Sequence, residues 1–189
     1  IFHAFRTGTP LAFVGEHYRF TRLQPFFNPG PIDAPDVPLA LGAVGPRMLA
    51  LVGECADGIH THPSNTSPRY LREAIVPVVN EGMLSRDPGL AQPFIAANVL
   101  VAMGADDAGV ATERERFRGV LAFLFSTPAY WPSLRLFGWE SLGETLLQLT
   151  REKRWQEMPS VFEDRVLDEF LVTGRFDMVA GALRQRYIG

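Results

Sequence analysis

Short unbroken apolar runs alternate along this chain with longer stretches in which apolar residues return every third or fourth position. The first pattern fits strands buried on both faces and the second fits amphipathic helices. Strand-then-helix units of this kind fill residues 38–127. The first unit has a run over residues 39–41, then a helix opened by Pro46 and reaching about residue 56, with Met48, Leu49, Val52 and Cys55 along one face. The second has a strand over residues 58–62 and a helix capped by Ser67 and opened by Pro68, which passes Leu71, Ile75 and Val79 toward Gly82 and kinks at Pro77. The third has the nearly continuous apolar run 94–103, after which Asp106 or Asp107 caps a helix to about residue 126. Strands alternating with helices predict a parallel sheet.

The flanks carry different patterns. Residues 1–37 read as the last turn of a helix, a hairpin and a proline-rich loop. In the hairpin, residues 11–14 and 17–21 flank Gly15 and Glu16, a pair that suits a type II′ turn and leaves Tyr18 and Phe20 on one face. Residues 24–38 hold Pro25, Pro29, Pro31, Pro35 and Pro38, which exclude helix and interior strand and predict an extended surface loop. Residues 128–189 read as helical throughout, with helices over 130–137, 141–154, 160–171 and 176–186, and no strand closes the chain. A complete eight-stranded α/β barrel takes about 250 residues. The pattern here is therefore that of part of such a barrel.

Composition narrows the class without naming a function. The 189 residues are 47% hydrophobic and 21% charged, the balance of a globular domain. A net charge of −3 gives no electrostatic case for nucleic acid, and no apolar run approaches the roughly 18 residues of a membrane span. Cys55 is the only cysteine and cannot form an internal disulfide, so the expected setting is a reducing, cytoplasmic one.

The candidate chemistry gathers at two strand ends. Gly42 and Gly45 bracket Ala43 and Val44 between the first barrel-type strand and the helix that Pro46 opens. A helix start of this kind leaves free backbone N–H groups and carries about half a positive charge, so it holds a phosphate without needing a lysine. A tight turn without ligand is the competing reading. Arg47, in the first helical turn, either reaches such a phosphate or stays solvated. His60 and His62 stand two apart at the end of the next strand, facing one way while Thr61 faces the other. Contact with substrate or cofactor and a hydrogen-bonded structural role both suit them, whereas no carboxylate or cysteine at ligand spacing supports a metal. Glu16 and His17 point to opposite faces of the hairpin and read as a solvated turn. Tyr130, Trp131 and Trp139 read as core before pocket lining, and residues 113–116, alternating acid and base, read as a solvated helix face.

Several blocks together carry a family resemblance: Phe13 to Thr21 (FVGEHYRFT), residues 38–58, His60-Thr-His-Pro63, Ser67-Pro-Arg-Tyr-Leu-Arg-Glu73, and Ser126-Thr-Pro-Ala-Tyr130 with Gly138-Trp139. In this order they resemble the luciferase-like monooxygenases, in the branch of deazaflavin (coenzyme F420)-dependent oxidoreductases. The resemblance implies a partial (β/α)8 TIM barrel with a hairpin insertion, this chain supplying strands five to seven and their helices. It implies hydride transfer between a deazaflavin and an organic substrate, with Gly42, Ala43, Val44, Gly45 and Arg47 near the cofactor phosphate and His60 and His62 facing substrate or cofactor. It also implies that the acid-base residues lie on early strands, so no catalytic residue is named here. The complete protein is expected to bind a small-molecule substrate and to be a homodimer. Two alternatives stay open: a monooxygenase using flavin mononucleotide (FMN) on the same barrel, and a non-catalytic flavin-binding or interaction protein. Taken alone, residues 1–189 are expected to expose apolar sheet edges and to associate.

Overall fold

The structure, a computed structural model, describes residues 1–28, 30–31 and 37–188. The described residues fall into two compact units, Ile1–Leu39 and Ala40–Gly189.

The first unit opens with helix α1 (Phe2–Thr7), which ends where Gly8 takes a left-handed conformation at φ 66°. Strands β1 (Phe13–Val14) and β2 (Arg19–Phe20) then pair antiparallel, Phe13 against Phe20. Tyr18 and Phe20 do share a face, their rings 6.3 Å apart and nearly parallel. The turn, however, closes one residue later than the glycine suggests. Gly15 N–H donates to the Tyr18 carbonyl at 2.9 Å, which puts Glu16 and His17 at the centre, and none of these residues has positive φ, so the turn is not type II′. Within the proline-rich stretch, Pro25–Phe27 forms a 3-10 turn where extended chain is expected; residues 29 and 32–36 lie outside the described residues.

The second unit holds the parallel strands. Strand β3 (Ala40–Gly42) leads into helix α2 (Pro46–Cys55), then β4 (Gly58–His60) follows. Next come helices α3 (Pro68–Tyr70) and α4 (Val76–Met83), joined by the π-helical segment Leu71–Ile75. Pro77 explains that segment: its ring would clash with the carbonyl of residue 73, and widening the preceding turn, with Val76 N–H donating to the Leu71 carbonyl, relieves this. Helix α2 crosses α4 glycine against glycine. A Cβ built on Gly53 would sit 2.0 Å from the Val79 carbonyl oxygen, and one on Gly82 would sit 2.0 Å from that of Ala50. Leu49, Val52, Ile59, Ile75 and Val79 fill the core beneath this crossing.

The apolar run expected as one strand is two: β5 (Phe94–Ala96) pairs with β4, and β6 (Leu100–Gly104) pairs with a strand further on. Thr61 makes the break. Its N–H donates to the Ala96 carbonyl, and its hydroxyl accepts from Asn98 N–H at 3.0 Å, in place of the next backbone rung. Helix α5 (Asp107–Phe125) follows, capped by Asp106, whose carboxylate accepts from Gly109 N–H at 2.8 Å.

Helices α6 (Trp131–Phe137), α7 (Glu140–Arg151) and α8 (Asp164–Phe170) build the C-terminal part, with a 3-10 stretch at Trp155–Val161. Contrary to the all-helical expectation, β7 (Leu171–Arg175) comes next and pairs parallel with β6, Leu171 beside Leu100. Helix α9 (Val179–Tyr187) ends the described chain. The reason is burial: Leu171 and Val172 are buried and continue the sheet, although the apolar spacing of Val166, Leu167 and Phe170 runs into them as if helical. The chain thus supplies the strand expected to be missing, four parallel strand positions instead of three. Leu121, Phe125, Leu134, Leu146, Phe162, Leu167 and Phe170 form the second core, each fully buried phenylalanine contributing about 2–3 kcal/mol. The charge run on α5 is also not wholly solvated, since Arg114 pairs with Asp164 and Asp168 and Arg118 with Asp164, tying α5 to α8.

Candidate functional site

Parallel pairing sets Gly42, His60 and Ala96 side by side at the C-terminal ends of β3, β4 and β5, the end at which α/β barrels build their sites. Immediately beyond Gly42, the Ala43 side chain is buried in the core under α2 and anchors the loop. Gly45 is the N-cap of α2 in extended conformation, with Pro46 at the first helical position and no side chain capping the end. Among the described residues, the backbone N–H groups of the first turn therefore have no capping side-chain acceptor.

Space distinguishes these glycines from their neighbours. A Cβ built on Gly42 or Gly45 meets nothing within 4 Å, whereas one on Gly58 would lie 2.6 Å from the Phe94 ring and one on Gly104 2.7 Å from the α5 backbone. Gly58 and Gly104 are small because protein packs on them. Gly42 and Gly45 leave backbone facing open space. Arg47 is exposed in the first turn and makes no ion pair among the described residues.

The two histidines part company. His60, the last residue of β4, is exposed, its side chain makes no hydrogen bond among the described residues, and it meets Phe94 edge to face with ring centroids 6.5 Å apart. Phe94, to which the sequence reading assigns no role, thus covers Gly58 and flanks His60; its signal is a large ring paired in register with a glycine. His62 lies past the strand end, where it caps the 3-10 turn Pro63–Asn65. Its Nδ1 accepts from Ser64 N–H at 3.3 Å and lies 2.9 Å from the Ser64 hydroxyl, and its ring stacks on Tyr130 at 4.2 Å. The strand expected to carry both rings ends between them.

Burial holds the His62 imidazole below its ordinary value of 6.5, in line with Nδ1 accepting from an N–H. The folded form therefore favours neutral His62. Its contribution to stability is complete above pH 6.5, where both folded and unfolded forms are neutral, and is lost as pH falls and the unfolded chain takes up the proton first. Melting curves between pH 7.5 and pH 5.5 should show this loss, and His62→Gln should flatten it; an identical slope in the variant would refute the assignment.

The remaining candidates are structural or belong to the first unit. Trp131 donates from Nε1 to the Phe125 carbonyl at 2.8 Å, and Tyr130, Trp131 and Trp139 pack against the second core. Trp139 also borders a cleft of about 220 Å³ with Leu142, Glu163 and Arg165. Glu16 and His17 sit exposed in the hairpin turn of the first unit. Among the described residues, no three His, Cys, Asp or Glu side chains gather as a metal site requires, and no helix is long and apolar enough to cross a membrane.

Comparison with known proteins identifies the family. The family described as luciferase-like monooxygenase matches residues 1–188. The chain belongs to that family. An uncharacterized protein of Mycobacterium tuberculosis (strain ATCC 25618 / H37Rv) is 38% identical over 189 residues, which are 100% of this luciferase-like chain and 55% of the relative. The F420-dependent glucose-6-phosphate dehydrogenase of Nakamurella multipartita is 31% identical over 83 residues, 44% of this chain and 23% of that protein. Among solved structures, the coenzyme F420 dependent tetrahydromethanopterin reductase of Methanopyrus kandleri superposes with a TM-score of 0.74 at 20% identity, covering 97% of this chain and 50% of the other. The fold is thus that of the luciferase-like barrel in part, and the chain spans about half the length of the first relatives it matches.

Proposed function

We propose that the protein to which this luciferase-like chain belongs is an oxidoreductase that uses a deazaflavin, coenzyme F420, on a small organic substrate. The observation that carries the reading is the pair of open glycines: among the described residues, a Cβ built on Gly42 or Gly45 at these strand ends would meet nothing within 4 Å. That bareness, an uncapped ten-residue helix start and an exposed Arg47 fit the anionic tail of such a cofactor.

In this reading the N–H groups around Gly45 and in the first turn of α2 hold phosphate oxygens, and Arg47 adds charge from the rim. Ala43, buried beneath, keeps the loop from yielding as the anion binds. A bound deazaflavin supplies hydride transfer between its ring and the substrate, chemistry in which the protein's share is to orient the two partners and exclude water. His60, exposed and in register with Gly42, offers a polar group toward the bound molecules, and Phe94 fixes the side from which the imidazole is approached. His62 stays neutral and holds the loop after β4 against Tyr130. The relatives that use F420 support the cofactor assignment.

The test is to load the full-length protein separately with F420 and with FMN. Binding of F420, with loss of its visible absorbance on adding an oxidisable substrate, is the expected result. Turnover with reduced FMN and oxygen, and none with F420, would overturn it.

A further inference from the structure

We propose that residues 62–66, between β4 and α3, form a strap that swings out of the fold as one unit about fixed ends at Thr61 and Ser67, with Tyr187 of α9 as its latch. The inference is independent of the cofactor reading. Connecting segments ordinarily run over the surface, where water satisfies their polar groups. This one is buried: Thr61, Ser64, Asn65, Thr66 and Ser67 are each at most 3% exposed. Asn65 decides what that burial means. Among the described residues, neither atom of its side-chain amide, Nδ2 or Oδ1, has a hydrogen-bond partner. A buried amide without partners loses its hydration and gains nothing in return, so the closed position carries a penalty that opening removes.

Little else opposes opening. Residues 61–67 include no Leu, Ile, Val, Met or Phe, so swinging them out exposes little apolar surface. The strap's own hydrogen bonds are local and travel with it: Asn65 N–H donates to the His62 carbonyl at 2.9 Å, Ser64 N–H to His62 Nδ1, and the Thr66 hydroxyl to the Pro63 carbonyl at 3.2 Å. Its ends are pinned. Thr61 is bonded to Ala96 and Asn98, and the Ser67 hydroxyl caps α3 by accepting from Tyr70 N–H at 3.2 Å. Two contacts fasten the middle, the stack of His62 on Tyr130 and the hydrogen bond that the Tyr187 hydroxyl donates to the Thr66 carbonyl at 3.0 Å. Tyr187 is a firm anchor, because its neighbour Arg186 donates to the Asp168 and Glu169 carbonyls in α8. The strap follows directly on Thr61 and His60, so its opening changes what stands beside that exposed imidazole at the strand ends.

The test is amide hydrogen exchange of the full-length protein, read by mass spectrometry on peptides covering residues 62–67 and, for reference, residues 47–55 of α2. In the parent the strap should exchange at least about tenfold faster than the reference, because it opens without the core. Asn65→Leu, close in shape but with no amide to hydrate, should slow exchange of the strap about tenfold. Tyr187→Phe, which removes only the latch hydroxyl, should speed it about fivefold. The parent and Tyr187→Phe decide the matter even if Asn65→Leu does not fold. Strap and reference exchanging together in the parent, a strap that exchanges as fast or faster in Asn65→Leu, or one that Tyr187→Phe leaves unchanged would each overturn the proposal.

Discussion

Replacing Gly82 by alanine is expected to destabilise the protein by about 3 kcal/mol, although alanine is the better helix former by about 1 kcal/mol. The added Cβ would sit 2.0 Å from the Ala50 carbonyl oxygen and 2.8 Å from its carbon, and both atoms belong to backbone that cannot rotate away. Helix α2 would have to withdraw from α4 along the whole crossing, opening space around Val52, Val79 and Ile75. A loss of that size is a large share of the 5–15 kcal/mol that holds an ordinary domain together. The control is Gly181→Ala in α9, where a Cβ meets nothing within 4 Å. There the same chemical change should leave stability level or raise it by up to about 1 kcal/mol. Urea melts of the two variants decide the matter. Equal midpoints would mean that α2 and α4 do not meet glycine against glycine.

The second large effect is on binding and leaves the fold alone. Gly42→Val, and separately Gly45→Val, should lower the affinity of the full-length protein for F420 by at least about tenfold, or roughly 1.4 kcal/mol. Neither glycine has positive φ and neither Cβ meets a neighbour within 4 Å, so the cost to the fold is confined to a poorer N-cap at position 45, about 1 kcal/mol. Melting temperatures should therefore stay near that of the parent while fluorescence titration with F420 weakens. Branched side chains would stand where the cofactor's tail must approach the N–H groups at the start of α2. Unchanged affinity in both variants would remove the glycine loop from the site. A large fall in the melting temperature of Gly42→Val would show instead that the loop is occupied by protein.

Much of this architecture is legible in the chain because the decisive signals are local. Pro46 after Gly45, Ser67 before Pro68 and Asp106 before the α5 periodicity each mark a helix start through hydrogen bonds and dihedral limits spanning a few residues. The boundaries that go astray depend on distant partners. Residues 94–103 read as one strand because their apolar run is nearly continuous, but Thr61, far away in sequence, takes the Asn98 N–H and divides the run between two sheets. Leu171 reads as a helix end, and residues 172–175 as the break before the next helix, because Phe170 and Leu171 keep helical spacing. Only pairing with β6 reveals the strand, for which Val172 and Thr173 ahead of Gly174 were the available hint.

The candidate site divides in the same way. The glycine loop and the helix it opens could be read directly, since their chemistry is that of the backbone. The histidines could be located but not told apart, because the strand length that would give them a common face is set by what packs beyond it. Tyr130 and Ser64 claim His62, while His60 stays open beside Phe94.

By itself, then, the sequence determined a parallel α/β chain, its helix starts and a glycine turn ahead of one of them, all consequences of short-range sterics and backbone polarity. The tertiary structure decided that Gly53 and Gly82 serve packing while Gly42 and Gly45 face open space, and that β7 extends the sheet. The reason is that a glycine or an apolar residue is chemically the same wherever it stands, and only the atoms brought against it from elsewhere in the chain define its role.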